Sequence, residues 1–182
     1  MRRSVVVAAA AIVGTVVVAL AAADATTRHS AADCAHQSFA PTLRFRGAGS
    51  VVVGPLSFAG NGYAHIDLTV TPPDYLKTGA VVLRGHTVKM VIVQSPRTTG
   101  FVGMPEGGSY HFADSRRSVT LEACGRHQRT SETSDGRPAT FWSGGFTKPA
   151  APACVPIDVY VDRSRRARRI VLSFGAGDCP QT

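Results

Sequence analysis

The residues most able to do chemistry in this chain are arginines. Arg163, Arg165, Arg166, Arg168 and Arg169 crowd into one short segment. A guanidinium is permanently charged and planar, and it presents paired N–H donors that match phosphate and carboxylate oxygens. At a hairpin tip such a cluster could meet phosphate, anionic lipid or an acidic polymer. The competing reading is a solvated turn whose charge keeps a sheet edge from pairing with another chain. Nucleic acid is disfavoured as the partner, because no aromatic residues interleave with the arginines to stack on bases.

The histidines, His29, His36, His65, His86, His111 and His127, are scattered. A metal or catalytic site would need several to converge through the fold with a carboxylate such as Asp67 or Asp114. Tyr63, His65 and Asp67 alternate and would share one face of a strand. Alternation alone accounts for them as a polar face opposite Ala64, Ile66 and Leu68. Asp158 and Asp162 could be read as paired carboxylates, but beside the arginines they more simply balance charge, since glycosidase pairs face each other across a cleft. No Gly-x-Ser-x-Gly elbow is present, and Gly47-x-Gly49-Ser50 opens no strand-to-helix pattern. Trp142 reads as a core anchor or as a surface aromatic for a sugar or peptide, with Gly144 and Gly145 marking a bulge beside it. The sequence therefore assigns no catalytic residue, no cofactor and no metal ligand.

Cys34, Cys124, Cys154 and Cys179 lack the close C-x-x-C pairing of zinc sites, so two disulfides are expected. That expectation agrees with the opening of the chain. Arg2 and Arg3 precede an uncharged run from Ser4 to Ala23, followed by Ala23-Asp24-Ala25, the small-x-small pattern of a cleavage site. The run is also long enough to stay in a bilayer as a hydrophobic helix. Residues 1–25 are thus a signal peptide or an uncleaved membrane anchor, and the rest is exported, free or held on the outer side of the cell membrane. A twin arginine without a fuller motif says little about the export route.

The elements that must position these residues are strands. The whole chain has 182 residues and a formal net charge of +8. Removal of residues 1–25 leaves the length of one domain. The positive balance favours acidic partners in general terms. Lysine occurs only at Lys77, Lys89 and Lys148 among many arginines, as in the proteins of GC-rich genomes. Residues 26–40 read as a linker or stalk, and a domain over 41–182 follows. Within it short β-rich runs alternate with turn signals, and no helical period is sustained after residue 40.

Val51–Val53 and Leu56–Ala59, Asn61-Gly62 and Tyr63–Val70 read as a hairpin, with Thr71-Pro72-Pro73-Asp74 ending its second strand. Strands are further expected at 80–83, 86–94, 118–124, 139–147, 154–162 and 169–174. The 86–94 strand should be central, since Val88, Met90 and Ile92 lie on one face and Val91 and Val93 on the other. In the last pair, Val155, Ile157, Val159 and Val161 alternate with polar positions, and Ile170, Leu172 and Phe174 answer them. If these two strands pair about Ser164–Ala167, Cys154 comes close to residues 177–179. This favours a Cys154–Cys179 bridge and leaves Cys34–Cys124 by elimination, although four cysteines allow three connectivities.

The segments Val119–Cys124, Phe141-Trp142-Ser143-Gly144-Gly145-Phe146, Cys154-Val155-Pro156-Ile157-Asp158-Val159 and Ser173-Phe174-Gly175-Ala176-Gly177-Asp178-Cys179 are similar to the end of small exported actinobacterial proteins of no known activity. Arg84–Val88 is a looser echo. The resemblance implies a cysteine-braced β-sandwich in a cell-envelope setting, and it implies no site.

The expected protein is all-β, a disulfide-braced antiparallel β-sandwich, loosely immunoglobulin-like, after an N-terminal hydrophobic helix. It reads as a non-enzymatic interaction or structural module of the envelope. Its partners would be an anionic envelope lipid or polymer, or another envelope protein, with membrane association through the N-terminal helix if uncleaved. The alternative is an exported hydrolase whose site assembles only in three dimensions.

Overall fold

The computed structural model describes residues 30–40, 42–58, 62, 64–69, 75–93, 101–103 and 117–181. The expected N-terminal signal or anchor lies outside these residues. In chain order the strands are β1 (Ser30–Ala32), β2 (Val51–Val53), β3 (Leu56–Phe58), β4 (Tyr75–Leu83), β5 (Thr87–Ile92) and β6 (Phe101–Gly103). They continue with β7 (Ser118–Glu122), β8 (Ser131–Glu132), β9 (Pro138–Thr147), β10 (Ala153–Val161) and β11 (Arg168–Phe174). A 3-10 turn spans Cys34–His36.

The strands form two sheets, one in the order β1-β7-β5-β10-β11 and the other in the order β2-β3-β4-β9-β6, with β8 added beside β9. Among the described residues every pairing between these strands is antiparallel except β1 with β7. One core is built from both sheets: Leu56, Val82, Trp142 and Phe146 of the second meet Val88, Leu121, Ile157 and Phe174 of the first. The Phe146 and Phe174 rings meet edge-on, with centroids 5.5 Å apart. Each fully buried aliphatic or aromatic side chain of this kind contributes about 1.5–3 kcal/mol.

The alternation of β10 dictates its burial. Val155, Ile157 and Val159 face the core, while the residues between them are partly exposed. β5 is central between β7 and β10, with Val88, Met90 and Ile92 buried and Val93 38% exposed. β11 is an edge strand, yet Val171 and Ser173 on its outer side are also buried. The tail explains this. The Gln181 side chain takes the place of a neighbouring strand, accepting from Val171 N and donating to Val171 O, and Ser173 Oγ donates to Gly177 O at 2.6 Å. Gly175 turns the tail with φ +66°, and a Cβ there would lie 2.9 Å from Ile66 O. The tail is closed by the Cys154–Cys179 disulfide, and Cys34–Cys124 ties the start of the domain to the end of β7. Two bridges are consistent with folding in an oxidising compartment.

The N-terminal half departs from the expected hairpin. β2 turns directly into β3 at Gly54-Pro55, with Val53 opposite Leu56, and β3 pairs onward with β4. Residues 64–69 form turns and no strand; Asn61 and Tyr63 lie outside the described residues. The physical reason is competition for a partner, because β4 occupies the side of β3 that a strand at 63–70 would have taken. Where the composition of 26–40 suggested a stalk, Ser30–Ala32 pairs with β7 and Ser38 bridges to Phe141. Gly144 and Gly145 form no bulge. β9 pairs residue for residue with β4, from Thr147 opposite Tyr75 to Ala139 opposite Leu83, and the two glycines also pair with β6.

Candidate anion-binding site

Strand direction sorts the loops into two ends. At one end lie the β2–β3 turn at Gly54-Pro55, the β4–β5 turn at 84–86, the loop after β7, the turn before β9 and the β10–β11 tip. Backbone hydrogen bonds join several of them: Leu83 N to Pro55 O, Arg84 N to Pro138 O, Ala123 N to His86 O and Asp162 N to Thr87 O. At the other end the 64–69 turns meet the tail, through Gly177 N to Ala64 O, and meet Lys148, whose Nζ donates to Leu68 O.

The tip is shaped by two short-range devices. Asp162 adopts φ 55°, a left-handed conformation that aspartate tolerates better than most residues. The Ser164 hydroxyl then accepts from Arg166 N at 3.1 Å, a local turn that leaves the flanking side chains pointing into water. Arg163, Arg165, Arg166 and Arg168 are exposed, and among the described residues none of them has an ion-pair partner. Arg168 reaches back toward the β2–β3 turn, its Nη1 3.2 Å from where a side chain on Gly54 would begin. Arg169 is different. Its Nε and Nη2 donate to the two oxygens of Asp158 across the ladder, at 2.8 and 3.1 Å, and this bond raises the Arg169 pKa further. Four of the five cluster arginines thus have no carboxylate partner among the described residues.

Beside the tip, the β4–β5 turn, the loop after β7 and the start of β9 enclose an open groove of about 480 Å3, lined by Arg84, His86, Arg126 and Arg137 with Leu83, Gly85, Gly125 and Pro138. No carboxylate lines it. Arg84 donates from Nη2 to Thr130 Oγ1 at 2.6 Å and has no acidic partner among the described residues, and Arg126 is exposed. Arg137 is held by Asp135 at 2.6 Å and lies over the Phe45 ring. Asp135 is held below the usual carboxylate range by Arg137 first and Thr133 second.

His86 joins groove and tip. Its Nδ1 lies 3.1 Å from Asp162 Oδ2, while Asp162 Oδ1 accepts from Thr87 N at 3.1 Å. The Asp162 pKa is lowered, chiefly by the Thr87 N–H and then by His86. Asp158 and Asp162 therefore have separate partners, Arg169 for Asp158 and His86 with Thr87 for Asp162.

The other candidate residues are placed apart from this end. His65 is exposed and Asp67 binds Thr69 N and Oγ1 within the 64–69 turns, at the end opposite His86. Tyr63, His111, Asp114 and His29 lie outside the described residues, and His127 is exposed. Among the described residues no group of three His, Cys, Asp or Glu is placed to hold a metal ion. Trp142 is 2% exposed, its Nε1 donating to Asp33 O, which makes it a core residue. Gly47–Ser50 is a turn closed by Ser50 N on Gly47 O.

Arg84, Arg126 and Arg137 escaped the sequence reading because they come from three segments with no spacing in common. The one legible signal was the turn-forming Gly beside two of them, Arg84-Gly85 and Gly125-Arg126. No protein-family model, curated protein or solved structure matches this chain.

Proposed function

We propose that this chain is an exported envelope protein whose arginine-rich end binds anionic partners, acting as an interaction or structural module without catalysis. The fold that carries this end is read as a β-sandwich, loosely immunoglobulin-like. Residues 1–25 are read as a signal peptide or a retained hydrophobic helix that leaves the domain outside the cell membrane. The observation that carries the reading is the exposure of Arg163, Arg165, Arg166 and Arg168 without ion-pair partners among the described residues. Solvated arginines offer bidentate donors to an anion, against a cost of about 0.5–1.5 kcal/mol for each side chain that becomes ordered.

The experiment is binding of the full chain, with the triple variant Arg165→Ser, Arg166→Ser, Arg168→Ser, to phosphatidylglycerol vesicles and to long-chain polyphosphate at increasing salt. Binding to at least one probe should weaken with salt and fall about tenfold or more in the variant. Unchanged, salt-insensitive binding by the variant would refute the reading.

The second reading, an exported hydrolase, is favoured by one observation, the His86–Asp162 contact. A carboxylate that orients an imidazole is part of hydrolytic machinery. The groove beside it is lined by no serine, threonine or cysteine, so a hydrolase here would need water as its nucleophile. Hydrolysis of a model ester or phosphoester that is lost in His86→Gln would favour this reading over the first.

A further inference from the structure

The proposed anion-binding end has a shape that discriminates between anionic partners. The tip protrudes, carrying Arg163, Arg165 and Arg166 into solvent. The groove is recessed, with Arg84 and Arg126 among its lining residues. Both are continuous through His86, which lines the groove and contacts Asp162 at the base of the tip. A bilayer surface could touch the tip but could not also fill the recess, whereas a flexible chain of charges can follow both. The carboxylates at this end do not block the path. Asp135 and Asp162 are engaged by Arg137 and His86, and Glu122 and Glu132 stay outside the groove lining.

We propose that the ligand is a linear polyanion, a chain whose repeat carries an oxyanion group, which seats one group in the groove between Arg84 and Arg126 and runs past His86 onto the tip arginines. This rests on the anion-binding reading above and names the ligand class for it. Multiple engaged groups on one chain raise the affinity over that of a free group, because the second contact becomes intramolecular.

The test uses the full chain in micelles of a neutral detergent, with long-chain polyphosphate, orthophosphate, and phosphatidylglycerol against phosphatidylcholine vesicles as probes. The variants are Arg126→Gln, Arg84→Gln and the triple tip variant. The inference expects polyphosphate to bind at least about a hundredfold tighter than orthophosphate. Arg126→Gln and Arg84→Gln should each weaken polyphosphate binding about three- to tenfold, and any preference for anionic over neutral vesicles should be indifferent to them. Arg126 is exposed, so its variant keeps the fold even if Arg84→Gln disturbs the Thr130 contact. Loss of binding only in the tip variant would overturn the groove while leaving the anion-binding reading intact. Vesicle binding as strong as polyphosphate binding would overturn the polymer in favour of lipid. Absence of binding to every probe would overturn both.

Discussion

At Asp162 several demands meet in one side chain. The residue must take a left-handed backbone, accept the Thr87 N–H, and fix His86 at the edge of the groove. Its carboxyl is held below the ordinary range of about 3.9, so the charged form is favoured by folding. The stability it contributes is fully present above that ordinary value and is lost as pH falls through the lowered one. Asp135 acts in the same sense. Urea midpoints measured between about pH 5 and pH 2 should therefore fall with acid, and Asp162→Asn should flatten the fall while preserving the turn. An equally steep fall in the variant would contradict the assignment. The His86–Asp162 contact was illegible in the sequence, since the partners are 76 residues apart and meet only because β5 and β10 are neighbours. The burial of Trp142, by contrast, was one of the two readings that its sequence allowed.

Whole strands were most legible where alternation persisted. β5, β7, β10 and β11 each carry enough apolar residues at period two to be read directly. β1, β6 and β8 are two or three residues long, too short to show any period. The expected strand at 63–70 failed for another reason. Asn61-Gly62 with flanking alternation is a strong local signal, but Gly54-Pro55 closes the hairpin earlier and β4 takes the vacant side of β3. Local preference yielded to long-range pairing. The β10–β11 hairpin is the element on which the tip depends, and the Cys154–Cys179 bridge clamps its open end over a sequence separation of 25. Replacing both cysteines by serine should cost about 2–4 kcal/mol in denaturant unfolding, because the bridge restricts the unfolded chain. The loss should appear with little change in anion binding, since the tip lies at the far end of the hairpin. Unchanged stability would mean that the tail is held by Gln181 and Ser173 alone.

The molecule as a whole is polar along its strands. One end collects turns rich in arginine, and the other collects the 64–69 turns and the tail. The net charge of +8 pointed to acidic partners in general terms, and the arginine run marked half of the proposed surface. The groove half required the fold, because Arg84, Arg126 and Arg137 are brought together by a β-turn, a loop and a strand start from different regions of the chain. The most direct test of this polarity is the pattern of backbone amide shifts in the isotope-labelled protein on titration with polyphosphate. Shifts should concentrate at residues 84–87, 125–126 and 162–168 and leave 64–69, 148–152 and 175–179 unmoved. Shifts centred on the second set, or spread evenly over both ends, would contradict an anion-binding arginine end.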